Sequence, residues 1–313
     1  MLEIVRYTED YKGIWNELVD RSRNGTFLFF RDYMDYHSDR YNDCSYLFLK
    51  KGRAEALIPG NVLNNIFISH QGLTYGGMVS SFKILTTDMI KMFTLLIDEL
   101  RNAGIQEVVY KPVPLIYHRI PAQEDIYALF LRKAEKIGCH ISSAIFQKDK
   151  LDFAESRKCG IRKSQRNKVQ IFESTDFSTF HEILKKNLID KFNLKPVHSL
   201  SEIIFLNSLF PENIKLYVAE HQGLIIAGTI LYVMHDVIHV QYISSTEFGK
   251  QIGALDLLFY KLINEDYQHI PVFDFGYSTE KLGTYLNENL IFQKEGFGGR
   301  GIVYELYKYS IEQ

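Results

Sequence analysis

What most constrains this chain is an order of elements that runs through it twice. Hydrophobic patterning predicts helices over residues 11–22 and 30–41, then strands over 46–50 and 54–62 around the turn Lys51-Gly52-Arg53. A strand at 66–70, an amphipathic helix at 88–102 and a strand at 106–111 follow. From about residue 150 the order begins again: helices at 154–168, 177–191 and 200–209, strands at 214–220, 224–234 and 237–244, a helix at 254–265 and a strand at 271–275. A shift of 171 residues lays Tyr46 on Tyr217, Gly52 on Gly223 and Ala56 on Ala227, all in the same hairpin. A slightly smaller shift lays residues 106–112 (QEVVYKP) on 271–277 (PVFDFGY), each after its amphipathic helix. The expected fold is α/β (α+β): two tandem domains, 1–150 and 151–313, each a mixed, mostly antiparallel sheet flanked by helices. The junction is placed near 150, between a strand at 143–147 and a basic helix.

Composition narrows the function classes. The 313 residues carry 36 basic and 38 acidic side chains, a net charge of −2. Duplex-DNA binding is therefore not expected, since it needs a basic footprint to displace counterions. The longest nearly uncharged apolar stretch, residues 223–234, is far short of the roughly 20 residues that span a bilayer. The first fifteen residues lack the apolar centre of a signal peptide. A cytoplasmic protein that is not integral to a membrane is the expectation. Cys44, Cys139 and Cys159 have no metal or disulfide spacing and read as small buried hydrophobes. No ligand spacing supports a metal. The excess of aromatics, 22 Phe and 20 Tyr, fits two packed cores.

Two helices, a hairpin, a strand, a helix and a further strand resemble the layout of the GNAT acyl-CoA N-acyltransferases. Twice in one chain, the layout is similar to the Fem-like branch, which includes aminoacyltransferases of peptidoglycan assembly and acetyltransferase-like proteins of surface-polysaccharide gene clusters. Residues 239–263 (HVQYISSTEFGKQIGALDLLFYKLI), 273–280 (FDFGYSTE) and 289–300 (NLIFQKEGFGGR) carry the resemblance best; 111–118 (KPVPLIYH) and 195–203 (KPVHSLSEI) look like the polysaccharide-cluster group. The resemblance implies acyl-CoA, most simply acetyl-CoA, as co-substrate. It also implies a C-terminal domain that binds it and an N-terminal domain with a structural or acceptor-side role.

The residues suggest where such chemistry would sit. Gly249, Lys250, Gln251, Gly253 and Ala254 form a glycine-bearing turn before a helix, the kind of place where backbone N–H groups hold a pyrophosphate. The match to Arg/Gln-x-x-Gly-x-Gly/Ala is degenerate, because Leu255 stands where the last small residue belongs. The resemblance implies that the strand before it, 237–244, aims a backbone N–H at the thioester oxygen. His239 and Gln241 share a strand face at period two, with Tyr242 opposite. His239 is a candidate base, and Gln241 and Tyr242 are candidate substrate contacts. Asp274, between Phe273 and Phe275, needs donors or a cleft. Glu280, at the expected start of a helix, is a second candidate base. Tyr285 occupies the position of a thiol-side tyrosine implied by the resemblance. Tyr277 could orient a sugar, and His118 and His198 could line a cleft. Lys294 and Arg300, in a glycine-rich turn, could fix an anion. Arg157, Lys158, Arg162, Lys163, Arg166 and Lys168 form a basic run without an acid, with Lys158, Arg162 and Arg166 on one helical face. Either it is a solvated face or it meets nucleotide, lipid pyrophosphate or tRNA phosphates.

The leading expectation is acyl transfer from acyl-CoA to an amino or hydroxyl group of a sugar or lipid-linked cell-surface precursor. Transfer of an aminoacyl group from charged tRNA to a cell-wall precursor is the alternative, with tRNA the weaker partner. A non-catalytic glycan- or protein-binding module is the third reading.

Overall fold

The computed structural model describes residues 2–192 and 194–311. In chain order the first half contains β1 (Leu2–Arg6), α1 (Lys12–Asp20), α2 (Arg31–Met34), β2 (Tyr46–Lys50), β3 (Arg53–Ile58), β4 (Asn61–Leu63), β5 (Ile66–Ile68), β6 (Val79–Ser80), α3 (Thr86–Asn102), β7 (Glu107–Tyr110) and α4 (Glu124–Leu131). There follow β8 (Glu135–Phe146), α5 (Glu155–Arg166), β9 (Gln170–Ser174), α6 (Phe177–Phe192), α7 (Leu200–Leu209), β10 (Ile214–His221), β11 (Leu224–Val233) and β12 (Val237–Ser245). The chain closes with α8 (Glu247–Ile252), α9 (Ala254–Lys261), a π-helical segment (Leu262–Asp266), β13 (Val272–Tyr277), β14 (Thr279–Glu280), β15 (Tyr285–Leu286), α10 (Glu288–Glu295) and β16 (Arg300–Ser310).

Two compact units result. One comprises residues 1–141, 279–285 and 303–313, the other 142–278 and 286–302. The change at 141/142 lies inside β8, eight residues before the junction placed near 150. Its strand begins at Glu135, earlier than the patterning of 143–147 indicated, because the outer half of the strand is largely polar. In the first unit β1, β2, β3 and β6 form an antiparallel sheet. There, too, β4 pairs antiparallel with β5, and β5 pairs parallel with β7. In the second unit the order is β8-β13-β12-β11-β10-β9, antiparallel except for the β12–β13 pair.

The repeat is present at the level of register. Gly52 and Gly223 both have positive φ (76° and 79°), each after a residue that does too, Lys51 and Gln222. That is the turn whose twist suits a two-residue hairpin. Phe48 pairs with Ala56 and Ala219 with Ala227, and the bulge falls at the next step in both hairpins. The parallel pairs also correspond: Ile66↔Glu107, Phe67↔Val108 and Ile68↔Val109 in the first unit, Val237↔Val272, Ile238↔Phe273 and His239↔Asp274 in the second.

Local physics accounts for most departures from the sequence pattern. The strand expected over 54–62 is split, since Pro59 has no N–H to give a ladder and Gly60 lies flat against Phe67, where a Cβ would fall 2.2 Å from the ring. The helix expected over 30–41 is α2 followed by a 3₁₀ turn, Asp35–His37. Residues 278–280 do not start an α-helix: Thr279–Glu280 pair with β15 as a short strand, and a 3₁₀ turn, Lys281–Gly283, follows. Only Cys44 is buried; Cys139 and Cys159 are exposed, on the outward sides of β8 and α5.

The second unit's core is strongly aromatic. Phe259 of α9 meets Phe273, Phe275 and Phe297 with ring centroids 5.1–6.2 Å apart, mostly at steep angles, a favoured arrangement of ring quadrupoles. Helix α5 lies on α9 so closely that a Cβ on Gly160 would strike the Asp256 carboxylate at 1.8 Å, and one on Gly253 would strike Gly160 at 2.6 Å. Arg157 closes this contact with an ion pair to Asp256 of 2.7 Å.

Candidate active site

The parallel pairing of β12 with β13 ends at His239↔Asp274, although β12 continues to Ser245 and β13 to Tyr277. Two bulges mark the divergence. In β12, Tyr242 pairs with Ile230 but Val240 with Leu231, leaving Gln241 as the extra residue. In β13 the register against β8 shifts between Asp274 and Tyr277, where Gly276 takes φ +71°. Bulges bend strands and re-aim side chains, often beside active sites. Beyond His239, no strand among the described residues pairs with the β12 edge that faced β13.

His239 and Asp274 stand at this fork. The Asp274 carboxylate, fully buried, accepts from His239 Nδ1 at 2.8 Å, from the Ser142 hydroxyl and from the Gly276 N–H at 3.1 Å. Three donors satisfy a carboxylate that would otherwise be costly to bury. A neutral imidazole that donates from Nδ1 carries its lone pair on Nε2. On the opposite side of His239 lies its cross-strand partner Tyr232, ring centroids 6.4 Å apart. A Cβ at 276 would only touch the imidazole, at 3.4 Å, so it is the φ of +71° that calls for glycine there. Lys294, only 4% exposed, donates from Nζ to the carbonyls of Gly276 (2.8 Å) and Tyr277 (3.0 Å). Burial draws its pKa down to about 8, opposed by the charge of Asp274. Lys294 thus braces the end of β13 from within and does not stand out in solution as an anion hook.

Beside the far end of β12 is a largely apolar cavity of about 460 Å³, within the usual size range of ligand pockets. Leu184 and Leu188 of α6, Ile243 and Ser245 of β12, Lys250, Leu255, and Leu290 with Gln293 of α10 line it. Asn187 secures the strand end, donating to Ser244 Oγ and to the Ser245 carbonyl at 2.7 Å each.

The sequence candidates are distributed as follows. His239 and Asp274 meet, and Lys250 reaches the cavity wall, its ammonium bonded to Glu247. The bulge at Gln241 breaks the simple alternation of Gln241 and Tyr242. The Tyr242 hydroxyl meets His198 Nδ1 at 2.6 Å, and burial raises its pKa. His118 bonds the Val113 carbonyl and is pushed down to about 4 by burial. Glu280 and Tyr285 belong to the first unit, on an exposed hairpin. Arg300 is exposed and donates to the Gly299 carbonyl, and Tyr277 is 42% exposed.

The turn at 249–254 is helical. Thr246 caps α8 by accepting from the Gly249 N–H, Lys250 N–H bonds Thr246, and Gly253 N–H bonds Lys250. Gly249 lets α8 approach β11, where a Cβ would fall 2.5 Å from the Ile226 carbonyl, and Gly253 makes the α5 contact. Ala254 is fully buried, and Gln251 is exposed on α8.

Sequence reasoning did not single out Ser142, Gly276 or Asn187. The pair Ser142-Ser143 in an otherwise apolar strand end was the available signal for the first.

No family model and no curated protein matches this sequence. Solved structures do. FemX superposes with a TM-score of 0.69 at 10% identity, over 98% of this chain and 97% of that one. A domain described as the C-terminal part of a lysylphosphatidylglycerol synthetase from Agrobacterium fabrum gives 0.59 at 11% identity, over 97% and 92%. A tandem GNAT protein from the clavulanic acid biosynthesis pathway gives 0.55 at 8% identity, over 100% and 99%. The fold is a tandem GNAT-like fold of the kind seen in FemX. Among the described residues no helix is long and apolar enough to cross a membrane, and no group of three or more His, Cys, Asp and Glu side chains is placed to hold a metal ion.

Proposed function

We propose that the second unit is an acyltransferase centre in which His239, oriented by Asp274, takes the proton of an amino or hydroxyl nucleophile. The observation that carries this is a comparison inside the molecule. The positions of His239 and Asp274 correspond to Ile68 and Val109 in the first unit, at the same step of the same parallel pair. The fold closes there with two aliphatic residues, so the buried polar pair is not required by the architecture. Function is the better reason for it.

The chemistry is direct transfer. The nucleophile adds to the carbonyl carbon of an activated acyl group, and a backbone N–H on the open edge of β12 stabilises the oxyanion. Nε2 of His239 accepts the nucleophile's proton. Collapse breaks the carbon–sulfur or carbon–oxygen bond, and that proton goes to the departing group. The similarity to FemX and to a tandem GNAT protein supports this class of reaction. The acceptor in this reading is a sugar or lipid-linked cell-surface precursor, with the first unit on the acceptor side.

Acyl-CoA is the first donor to test, with Lys250 at the cavity wall as its contact. A charged tRNA is favoured by a different observation: the amides of Gly249, Lys250 and Gly253 are already engaged within α8 and its cap, unlike an open pyrophosphate cradle. Both donors can be tried with water in place of the acceptor. Hydrolysis of acetyl-CoA, followed as thiol release, and of charged tRNA, followed as deacylation, is measured with wild type and His239→Ala. The proposal expects water to take the acyl group from one donor and that reaction to fall about 10²–10⁴-fold in the variant. If the variant is as fast as wild type, His239 is not a catalytic base.

A further inference from the structure

A second cavity, of about 370 Å³, lies against the basic helix. Its first wall is one face of α5: Lys158, Ile161, Arg162 and Gln165, at the i, i+3, i+4, i+7 spacing of a helical stripe. Its second wall is Tyr260 and Asn264, and the loop from Lys150 to Phe153 closes the end. Leu255, which lines the cavity beside β12, is on the same helix as Tyr260, five positions and about 7.5 Å of helix rise away, and the two linings share no residue. The two cavities are thus separate.

The lining is selective. Phe153 and Ile161 give an apolar floor, and the Tyr260 ring is held edge-to-face by Phe153 at 6.4 Å. Lys150, Lys158 and Arg162 set the rim, with Asp152 the one acid among the lining residues. The acids that meet Lys158 and Arg162 are Glu155 and Asp152, themselves 77% and 96% exposed, so these pairs are solvent-screened and an anion can replace them. Asn264 sits in the π-helical segment that follows α9, and its amide is fixed by Lys150 at 2.7 Å and by the Tyr260 carbonyl at 3.0 Å. Single-turn π segments recur at functional sites because they re-aim a side chain that regular helix would place elsewhere.

We propose that this cavity is a binding site for a nucleoside phosphate, with the phosphates on Lys158 and Arg162 and the base against Tyr260. An arginine fork and two ammonium groups suit a phosphate, an aromatic face suits a base, and the amides of Gln165 and Asn264 offer a donor and an acceptor to its edge. This site does not depend on the catalytic reading of His239.

Calorimetry with ADP and with inorganic pyrophosphate tests it, using wild type, Lys158→Ala/Arg162→Ala, Tyr260→Leu and Lys91→Ala. The expected result is ADP and pyrophosphate binding that weakens at least tenfold in the double variant. Tyr260→Leu should weaken ADP alone, and Lys91→Ala, at an exposed lysine of α3, should leave both unchanged. Absence of ADP binding at millimolar concentration overturns the proposal. So does binding kept in the double variant, and so does ADP binding no tighter than pyrophosphate, which would reduce the cavity to an anion patch.

Discussion

Nδ1 of His239 lies 2.8 Å from a carboxylate oxygen of Asp274, and the two residues are register partners on the last paired step of two parallel strands. The carboxylate fixes the imidazole tautomer, so its loss should cost rate through the wrong tautomer or a rotated ring. Asp274→Asn is expected to lower the transfer or deacylation rate by about 10²–10⁴-fold while keeping the fold, the range for general acid–base groups. Steady-state rates beside a thermal melt check both halves of that statement.

The aliphatic counterparts in the first unit lead to a sharper expectation. The double variant His239→Ile/Asp274→Val should fold, with stability lowered by about 1–3 kcal/mol, because the Ser142 hydroxyl and the Gly276 N–H lose the carboxylate that accepts from them. It should have no activity. A double variant that fails to fold would mean that the polar pair is structural.

Asp125 in the first unit sets a pH dependence. Fully buried, it accepts from the Tyr110 hydroxyl at 2.7 Å, and burial pushes its pKa up to about 6 from the ordinary 3.8. The folded state therefore binds this proton more tightly than the unfolded chain. Stability should fall as pH rises from about 4 to about 6 and then level off, by up to about 3 kcal/mol from this group. Denaturant midpoints across that window, flattened in Asp125→Asn, would bear this out.

The helix contact at Gly160 has no slack. Gly160→Ala places a methyl on Asp256 and should cost roughly 1–3 kcal/mol, the usual range for overpacking, seen as a lowered melting temperature. Gly52→Ala and Gly223→Ala meet no atom within 4 Å, so their cost is conformational alone. About 1 kcal/mol is expected at each, and similar values in the two halves would confirm that the hairpins share one turn.

Much of this was legible before any coordinates. The hairpin turns showed because Gly52 and Gly223 are needed for positive φ, and the helix over Leu200–Leu209 and the strand from Leu224 showed through their apolar runs. His239 and Asp274 could each be suspected, but not their meeting, because register between strands 35 residues apart leaves no mark in a single sequence. The bulge at Gln241 defeated the period-two reading of Gln241 and Tyr242 for the same reason: one inserted residue reverses every facing beyond it. Gly249 and Gly253 looked like phosphate-loop glycines, yet they are equally demanded by the close approach of β11 and α5. A glycine in sequence reports that something comes near, not what it is.

The first unit has the same fork of parallel strands, but chain fills it. Gly76 N–H bonds the Lys111 carbonyl, Met78 N–H bonds the Tyr110 hydroxyl, and Lys111 Nζ reaches the Leu73 carbonyl. Gly76 is pressed so near Ser69 that a Cβ would fall 1.9 Å from its carbonyl oxygen. Installing histidine at Ile68 and aspartate at Val109 would therefore give the first half the right side chains and no room for an acyl group. An engineer seeking two working centres in this scaffold would have to excise the wedge at residues 73–78 before touching either strand.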